Sequence, residues 1–243
     1  MNSLTALVSP LVAALALVTG LVGVLGARFG LISPIAGFAL FAILMALGAV
    51  LALLLGLVGL LRTRRGQRRG GAAQAWGGAL LAVAILGWLL TLASDPRQAP
   101  PIHDVTTDLE DPPAFEAAAP HDSRGNGFAY PSGGAQVPDL QRQGYPDLAT
   151  ARLDITPAEA LWRAEHTAQD LGWTKLLDDP ENGRLEYSDT TSWFRFVDYI
   201  AVRVRSADGG AAVDVRSVSQ IGLSDLGVNA ARVRRYLDVL TSE

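Results

Sequence analysis

Residues Ile35 to Leu61 read IAGFALFAILMALGAVLALLLGLVGLL, 27 residues without a charged side chain. A helix rises about 1.5 Å per residue and the hydrocarbon core of a bilayer is about 30 Å thick, so about 20 apolar residues cross it. The stretch exceeds that length and decides the character of the first part of the chain. Upstream, Leu4 to Gly26 is apolar apart from Ser, Thr, Gly and one Pro. Downstream, Ala75 to Ala93 holds 19 uncharged residues, with Trp76 and Trp88 toward its ends, as interfacial anchors are placed. Three spans at about 4–26, 35–61 and 75–93 are expected inside a transmembrane region of residues 1–94. No basic residue precedes the first apolar run, so it is expected to be retained rather than cleaved as a leader.

Between the second and third spans, Arg62 to Gly71 packs five arginines into ten residues. Loops rich in Lys and Arg stay on the cytoplasmic side. The N-terminus is then expected inside, the Arg28 to Pro34 turn outside, and the rest of the chain periplasmic, in a multi-pass protein of the plasma (inner) membrane. Gly23, Gly26, Gly30, Gly37, Gly48, Gly56 and Gly59, with Ala49 and Ala52, offer small positions for close helix contact. No ionisable residue lies within a span, so these helices read as an anchor or docking surface rather than an ion or proton path.

Composition divides the chain near Asp95. All 24 acidic residues lie at or after it, while six of the 20 basic residues precede it. The second part carries 14 basic against 24 acidic residues, a formal charge of −10, within a total of −4. That balance argues against nucleic acid, whose binding rests on neutralising phosphates. Cysteine is absent, which removes disulfides, thiolate nucleophiles and sulfur-ligated metals. The three histidines, His103, His121 and His166, have no partner at a ligand spacing, and neither a metal nor a cofactor is expected.

Beyond residue 94 the pattern predicts a polar exit over Asp95 to Pro101 and a proline- and glycine-rich wrap, together residues 95–150, then an α+β core over 151–243. Thr156-Pro157-Ala158-Glu159 is a helix start: Thr caps and Pro takes the first helical position. The helix should run to about Leu171, with Gly172 as its stop. Strands are expected at Trp173–Leu177, Arg184–Asp189, Phe194–Arg205 and Ala211–Ile221, with a hairpin at Asp208-Gly209-Gly210. A last helix should run from about Asn229 to Leu240. This order predicts an antiparallel sheet of about four to five strands with two helices on one face, leaving the other face open.

In the third strand Phe196, Asp198, Ile200, Val202 and Val204 form the expected core face. Asp198 interrupts it and needs a cationic partner, with Arg216, Arg232 and Arg234 as candidates. The segment Asp214 to Asn229 runs from a strand through a glycine-bearing turn into a helix start. Ser217 and Ser219 share a strand face, and Ser224, Asp225 or Asn229 is placed to cap the helix. Gly222-Leu-Ser224-Asp-Leu-Gly227 is not a nucleophile elbow, having one residue too many after the serine. His103-Asp104 with Asp108 forms the one other polar cluster. Candidate binding or functional residues are therefore His103, Asp104, Asp108, Asp198, Arg216, Ser217, Ser219, Ser224, Asp225 and Asn229; none is assigned a catalytic role.

Pro101-Ile-His-Asp-Val-Thr-Thr-Asp108, the Tyr145-Pro-Asp147 turn, Trp193-Phe-Arg-Phe-Val-Asp198 and the long run from Arg216 to Asn229 together resemble the bacterial and plastid family called domain of unknown function 1499. The chain has Gln220 where that family typically has Arg, and Tyr199 where it typically has Asp. The resemblance implies a domain type that occurs with membrane anchors and carries no established activity. The expected function is a non-enzymatic binding or assembly module of the cell envelope, with membrane lipids and an envelope protein as partners. The alternative is a hydrolase-like or metal-assisted enzyme built on His103, Asp104, Asp108 and the Ser217–Asn229 turn. It requires those groups to converge in one pocket.

Overall fold

A computed structural model describes residues 3–64, 71–93 and 99–242. Most of the arginine loop and most of the Asp95–Pro101 exit lie outside the described residues. The chain divides into two compact units, Met1–Pro96 with Ser192–Arg195, and Arg97–Thr191 with Phe196–Glu243.

The first unit is helical: α1 (Leu4–Arg28), α2 (Pro34–Phe38), a π-helical stretch (Ala39–Leu44), α3 (Met45–Arg64) and α4 (Ala72–Ala93). Its described residues contain three helices long and apolar enough to cross a membrane, over Leu4–Arg28, Pro34–Thr63 and Ala72–Leu92. Small residues sit at the contacts. A Cβ on Gly59 would stand 2.8 Å from the Ala6 Cα, one on Gly56 2.9 Å from the Ala75 carbonyl oxygen, and one on Gly48 2.9 Å from the Ala16 Cβ. Gly30 instead serves the α1–α2 turn, at φ +70°, with nothing near its missing Cβ. Ala13, Ala16, Met45, Ala49, Ala52, Ala82 and Ile85 form the interior, and Ser9 donates to the Ala52 carbonyl at 2.8 Å. Leucines such as Leu11, Leu47 and Leu80 face outward. Large apolar side chains outside and small ones inside is the arrangement that suits hydrocarbon surroundings, where close packing supplies the association energy.

The second unit holds β1 (Asp104–Thr106), α5 (Val137–Gly144), β2 (Ala151–Leu153), α6 (Pro157–Asp170), β3 (Thr174–Asp179), β4 (Arg184–Thr190), β5 (Val197–Ala207), β6 (Gly210–Ser219) and α7 (Val228–Ser242). The sheet is antiparallel in the order β1-β6-β5-β4-β3, and β2 also pairs with β6, so β1 and β2 share one edge of that strand end to end. The expected α+β class holds, with six strands, two of them three-residue pieces: β1 from the segment read as linker and wrap, and β2 at the start of the expected core, ahead of its first expected helix. Thr156 accepts from the Glu159 N–H at 3.2 Å and starts α6. The helix ends in a Schellman turn: Gly172 at φ +77° bonds to Gln169, and Trp173 to Ala168. Both helices pack on one face, where Ala160, Ala164, Val233, Tyr236 and Leu240 meet Ile200, Val202, Val213 and Val215.

The opposite face is not open. Residues of the wrap, Phe115, Ala118 and Phe128, form a second core there against Tyr199, Ala201 and Val218. Glu186 on β4 holds the wrap down, its two carboxylate oxygens accepting from the Glu116 and Ala118 N–H groups at 2.6 and 2.8 Å. Asp122 organises the next turn by accepting from Arg124, Asn126 and Phe128. The expectation of a free sheet face is thereby corrected: a loop rich in Pro and Gly still buries its three apolar side chains when a carboxylate satisfies its backbone.

Candidate functional site

The β1–β6 register sets Asp104 opposite Val218 and Thr106 opposite Arg216, so Asp104 and Arg216 share the wrap-side face. Arg216 grips Asp104 with two parallel hydrogen bonds, Nε to Oδ1 and Nη2 to Oδ2, each 2.9 Å. Its remaining donors go to the carbonyls of Phe128 at 2.7 Å and Pro113 at 3.2 Å. The guanidinium lies over the Phe115 and Tyr130 rings, and Asp104 also accepts from the Ser132 N–H at 2.9 Å. Arg216 is 2% exposed and Asp104 0%. The pair is a clasp joining sheet and wrap, with its hydrogen-bonding capacity turned inward.

On the helix face a second network forms around Asn229, in the first turn of α7. Its amide accepts from Ser217 at 2.6 Å and donates to Ser219 and to the His103 carbonyl, each at 2.9 Å. Arg232 reaches in from one turn along: Nη1 donates to Ser217 and Asn229, Nη2 to Asp198 at 2.6 Å, and Nε to Asp189 at 3.0 Å. Of the three cations named for Asp198, Arg232 is the partner. Burial pushes the Asp198 carboxyl above its ordinary range, against the pull of Arg232. Asp225 caps α7, accepting from Gly227 at 2.8 Å and Asn229 at 2.7 Å; burial raises its carboxyl too, against those two N–H donors. Ser224 only accepts a long bond from Leu226, and Asn229 is a buried staple rather than a cap.

His103 is fully buried between two contacts. Nε2 stands 3.1 Å from the Ser132 hydroxyl and Nδ1 3.4 Å from the Leu223 carbonyl. A carbonyl can only accept, so Nδ1 carries the proton and Nε2 accepts from Ser132. Burial, helped by Arg124, holds the imidazole below its ordinary value of 6.5. The Ser132–His103 pair has the spacing of a nucleophile and base. Yet Ser132 is 1% exposed, no carboxylate among the described residues hydrogen-bonds the imidazole, and Asp104 is occupied by Arg216. Sequence reading missed Ser132, whose only local sign is its place before Gly133-Gly134.

His103, Ser217, Ser219, Asp198, Asp225 and Asn229 are thus brought together, with Arg232 and Ser132 added. Asp104 and Arg216 lie across the sheet. Asp108 belongs elsewhere: it pairs with Arg203 and Arg205, each at 3.2 Å. Burial raises its carboxyl, but the N–H groups of Asp111 and Glu110 and the two arginines outweigh that and leave it below the ordinary range. The proposed cluster of His103, Asp104 and Asp108 is therefore split, because neighbouring strand residues face opposite ways and Asp108 lies beyond the end of β1. Among the described residues no three His, Asp or Glu side chains are grouped to hold a metal ion.

Asp108 lines a groove of about 430 Å³ with Thr107, Thr150, Arg152, Arg205 and Ala212. The ladder places Arg152, Ala212 and Arg205 side by side across β2, β6 and β5. Two arginines therefore flank an alanine floor. Arg205 is held by Asp214 at 2.6 Å, and Asp214, itself buried, also accepts from Thr150 and Arg203. Arg152 is exposed and forms no ion pair among the described residues. The Arg203–Asp214 pairing was legible in principle, since both residues are four positions from the ends of a hairpin closed by Asp208-Gly209.

Residues 104–240, more than half of the chain, match the family model described as protein of unknown function (DUF1499), and the chain belongs to that family. No curated protein and no solved structure matches it.

Proposed function

We propose that this protein is a membrane-anchored, non-enzymatic binding module whose second unit takes a small anion, a carboxylate or a phosphate, in the groove between Arg152 and Arg205. The observation that carries this reading is the contrast between the two polar regions. The network around His103, Asn229 and Arg216 spends its donors and acceptors on protein groups, whereas Arg152 stands exposed across Ala212 from Arg205 and forms no ion pair among the described residues. A planar guanidinium matches the geometry of a carboxylate or phosphate, and two of them across a small floor suit a single anion. The three apolar helices supply the anchor. The arginines between the second and third helices support a cytoplasmic loop, which makes the second unit periplasmic. An impermeant maleimide applied to intact spheroplasts tests that side: it should label an Asp208→Cys variant, and protection of that thiol would reverse the orientation.

The binding claim is tested by calorimetric titration of inorganic phosphate into the full-length protein in a neutral detergent. A saturable isotherm is expected, weakened at least about tenfold by Arg152→Gln, since loss of one charge-assisted contact of about 1.5–3 kcal/mol has that effect. A flat wild-type titration, or an isotherm indifferent to Arg152→Gln, would contradict it. One observation favours a second reading, a serine hydrolase: the 3.1 Å approach of Ser132 to His103. The burial of both side chains supports the binding reading over it.

A further inference from the structure

The long family motif closes in a loop that inverts the usual distribution of polarity. Its carboxylate and amide point inward, with Asp225 bonded to the N–H groups of Gly227 and Asn229, and Asn229 fully buried. Its leucines point out: Leu223 is 81% exposed, Leu226 69%, and Val228 is exposed beside them. Of the six large apolar side chains left exposed among the described residues beyond residue 100, these are three, within six residues. Apolar groups so concentrated mark an interaction surface.

The loop is also stiff. The Asp225 N–H donates to the Ile102 carbonyl, Leu223 offers its carbonyl to His103, and Arg124 donates to the Gly222 carbonyl. Leu226 sits at φ 56°, a conformation a leucine rarely adopts. A backbone pinned at both ends and strained between them presents its leucines in a fixed direction.

The chain itself says what lies nearby. A Cβ on Gly227 would stand 3.3 Å from the Cβ of Ala99, and Ala99 is only six residues from Ala93, where α4 ends. Six residues fully extended span roughly 20 Å, which is the longest tether the sequence allows between Ala93 and Ala99. We propose that the Gly222–Val228 loop docks into the lipid interface of the membrane that the helices cross, with Leu223 and Leu226 in the headgroup and upper acyl layer. The proposal rests on the anchor reading given above. Amphipathic surfaces of this kind bury their apolar side about 5–10 Å into the headgroup and acyl boundary. Asp225 does not oppose insertion, because its carboxylate is already bonded to backbone N–H groups.

The chain has no cysteine, so single-cysteine variants need no background removal. Leu223→Cys, Leu226→Cys, Leu80→Cys and Asp208→Cys in the full-length protein, spin-labelled in liposomes of phosphatidylcholine and phosphatidylglycerol, are compared by accessibility to oxygen and to a water-soluble nickel reagent. The docked loop gives labels at 223 and 226 that favour oxygen, as the label on α4 at position 80 does, while the hairpin label at 208 favours nickel. Labels at 223 and 226 as nickel-accessible as that at 208, with position 80 in lipid, overturn the docking and leave the anchor standing. A nickel-accessible label at 80 overturns the anchor reading itself. Labels at 223 and 226 shielded from both reagents mean that protein covers the loop, which also overturns the proposal.

Discussion

His103 carries a proton balance that can be measured apart from the rest of the molecule. Its imidazole is held neutral by burial, below the 6.5 of a free histidine. As pH falls below about 6.5 the unfolded chain takes up a proton that the folded chain does not. The contribution of His103 to stability is therefore fully present above that pH and is lost as pH falls through the folded value. Asp198 and Asp225, raised by burial, work in the opposite direction, but they are common to wild type and variant and cancel in a difference. The melting temperature of the full-length protein in detergent should accordingly drop more between pH 8 and pH 5.5 for the wild type than for His103→Gln. Equal drops would mean that the imidazole protonates freely in the folded state. Residue-scale chemistry of this kind was only half legible in the sequence. Asp198 declared its need for a cation because it interrupts an apolar strand face, and Arg232 meets that need. Ser132 declared nothing, because its partner lies 29 residues away and meets it only through the fold.

At the scale of elements, the readable parts were those that carry their own signals. The start of α6 at Thr156, its glycine stop at 172 and the hairpin at Asp208-Gly209 are local devices, and each appears where its residues place it. The strands β1 and β2 are three residues each and exist only as ladder partners of β6, with Asp104 paired to Val218 across more than a hundred residues. Nothing periodic can develop over three positions, so β1 was read as part of the wrap and β2, at the start of the expected core, was not expected as a strand. The wrap's own docking on the sheet was hidden for a related reason: it depends on Glu186, an ordinary-looking strand residue whose carboxylate binds two backbone N–H groups. Glu186→Ala should cost about 1–3 kcal/mol by leaving those groups unsatisfied. Limited proteolysis should then cut between residues 111 and 130 faster than in the wild type, with the β4–β5–β6 ladder still protected against hydrogen exchange. An unchanged cleavage pattern would show that Phe115, Phe128 and the Arg216 clasp hold the wrap without Glu186.

The whole molecule joins an apolar helical unit to an α+β unit that carries the DUF1499 match, and all 24 acidic residues of the chain lie at or after Asp95. What composition could not show is which polar residues are interior structure and which line an open groove. The candidate residues from His103 to Asn229 are mostly buried, while a groove lies around Arg152 and Arg205, which no motif singled out. That distinction is the central claim, and its most direct test is the reactivity of Ser132. The full-length protein, treated with a fluorophosphonate that phosphonylates activated serines and then digested for mass spectrometry, should return the Ser132 peptide at its unmodified mass. A stoichiometric adduct on Ser132, abolished by His103→Gln, would show the pair to be open and activated, and would make the protein an enzyme.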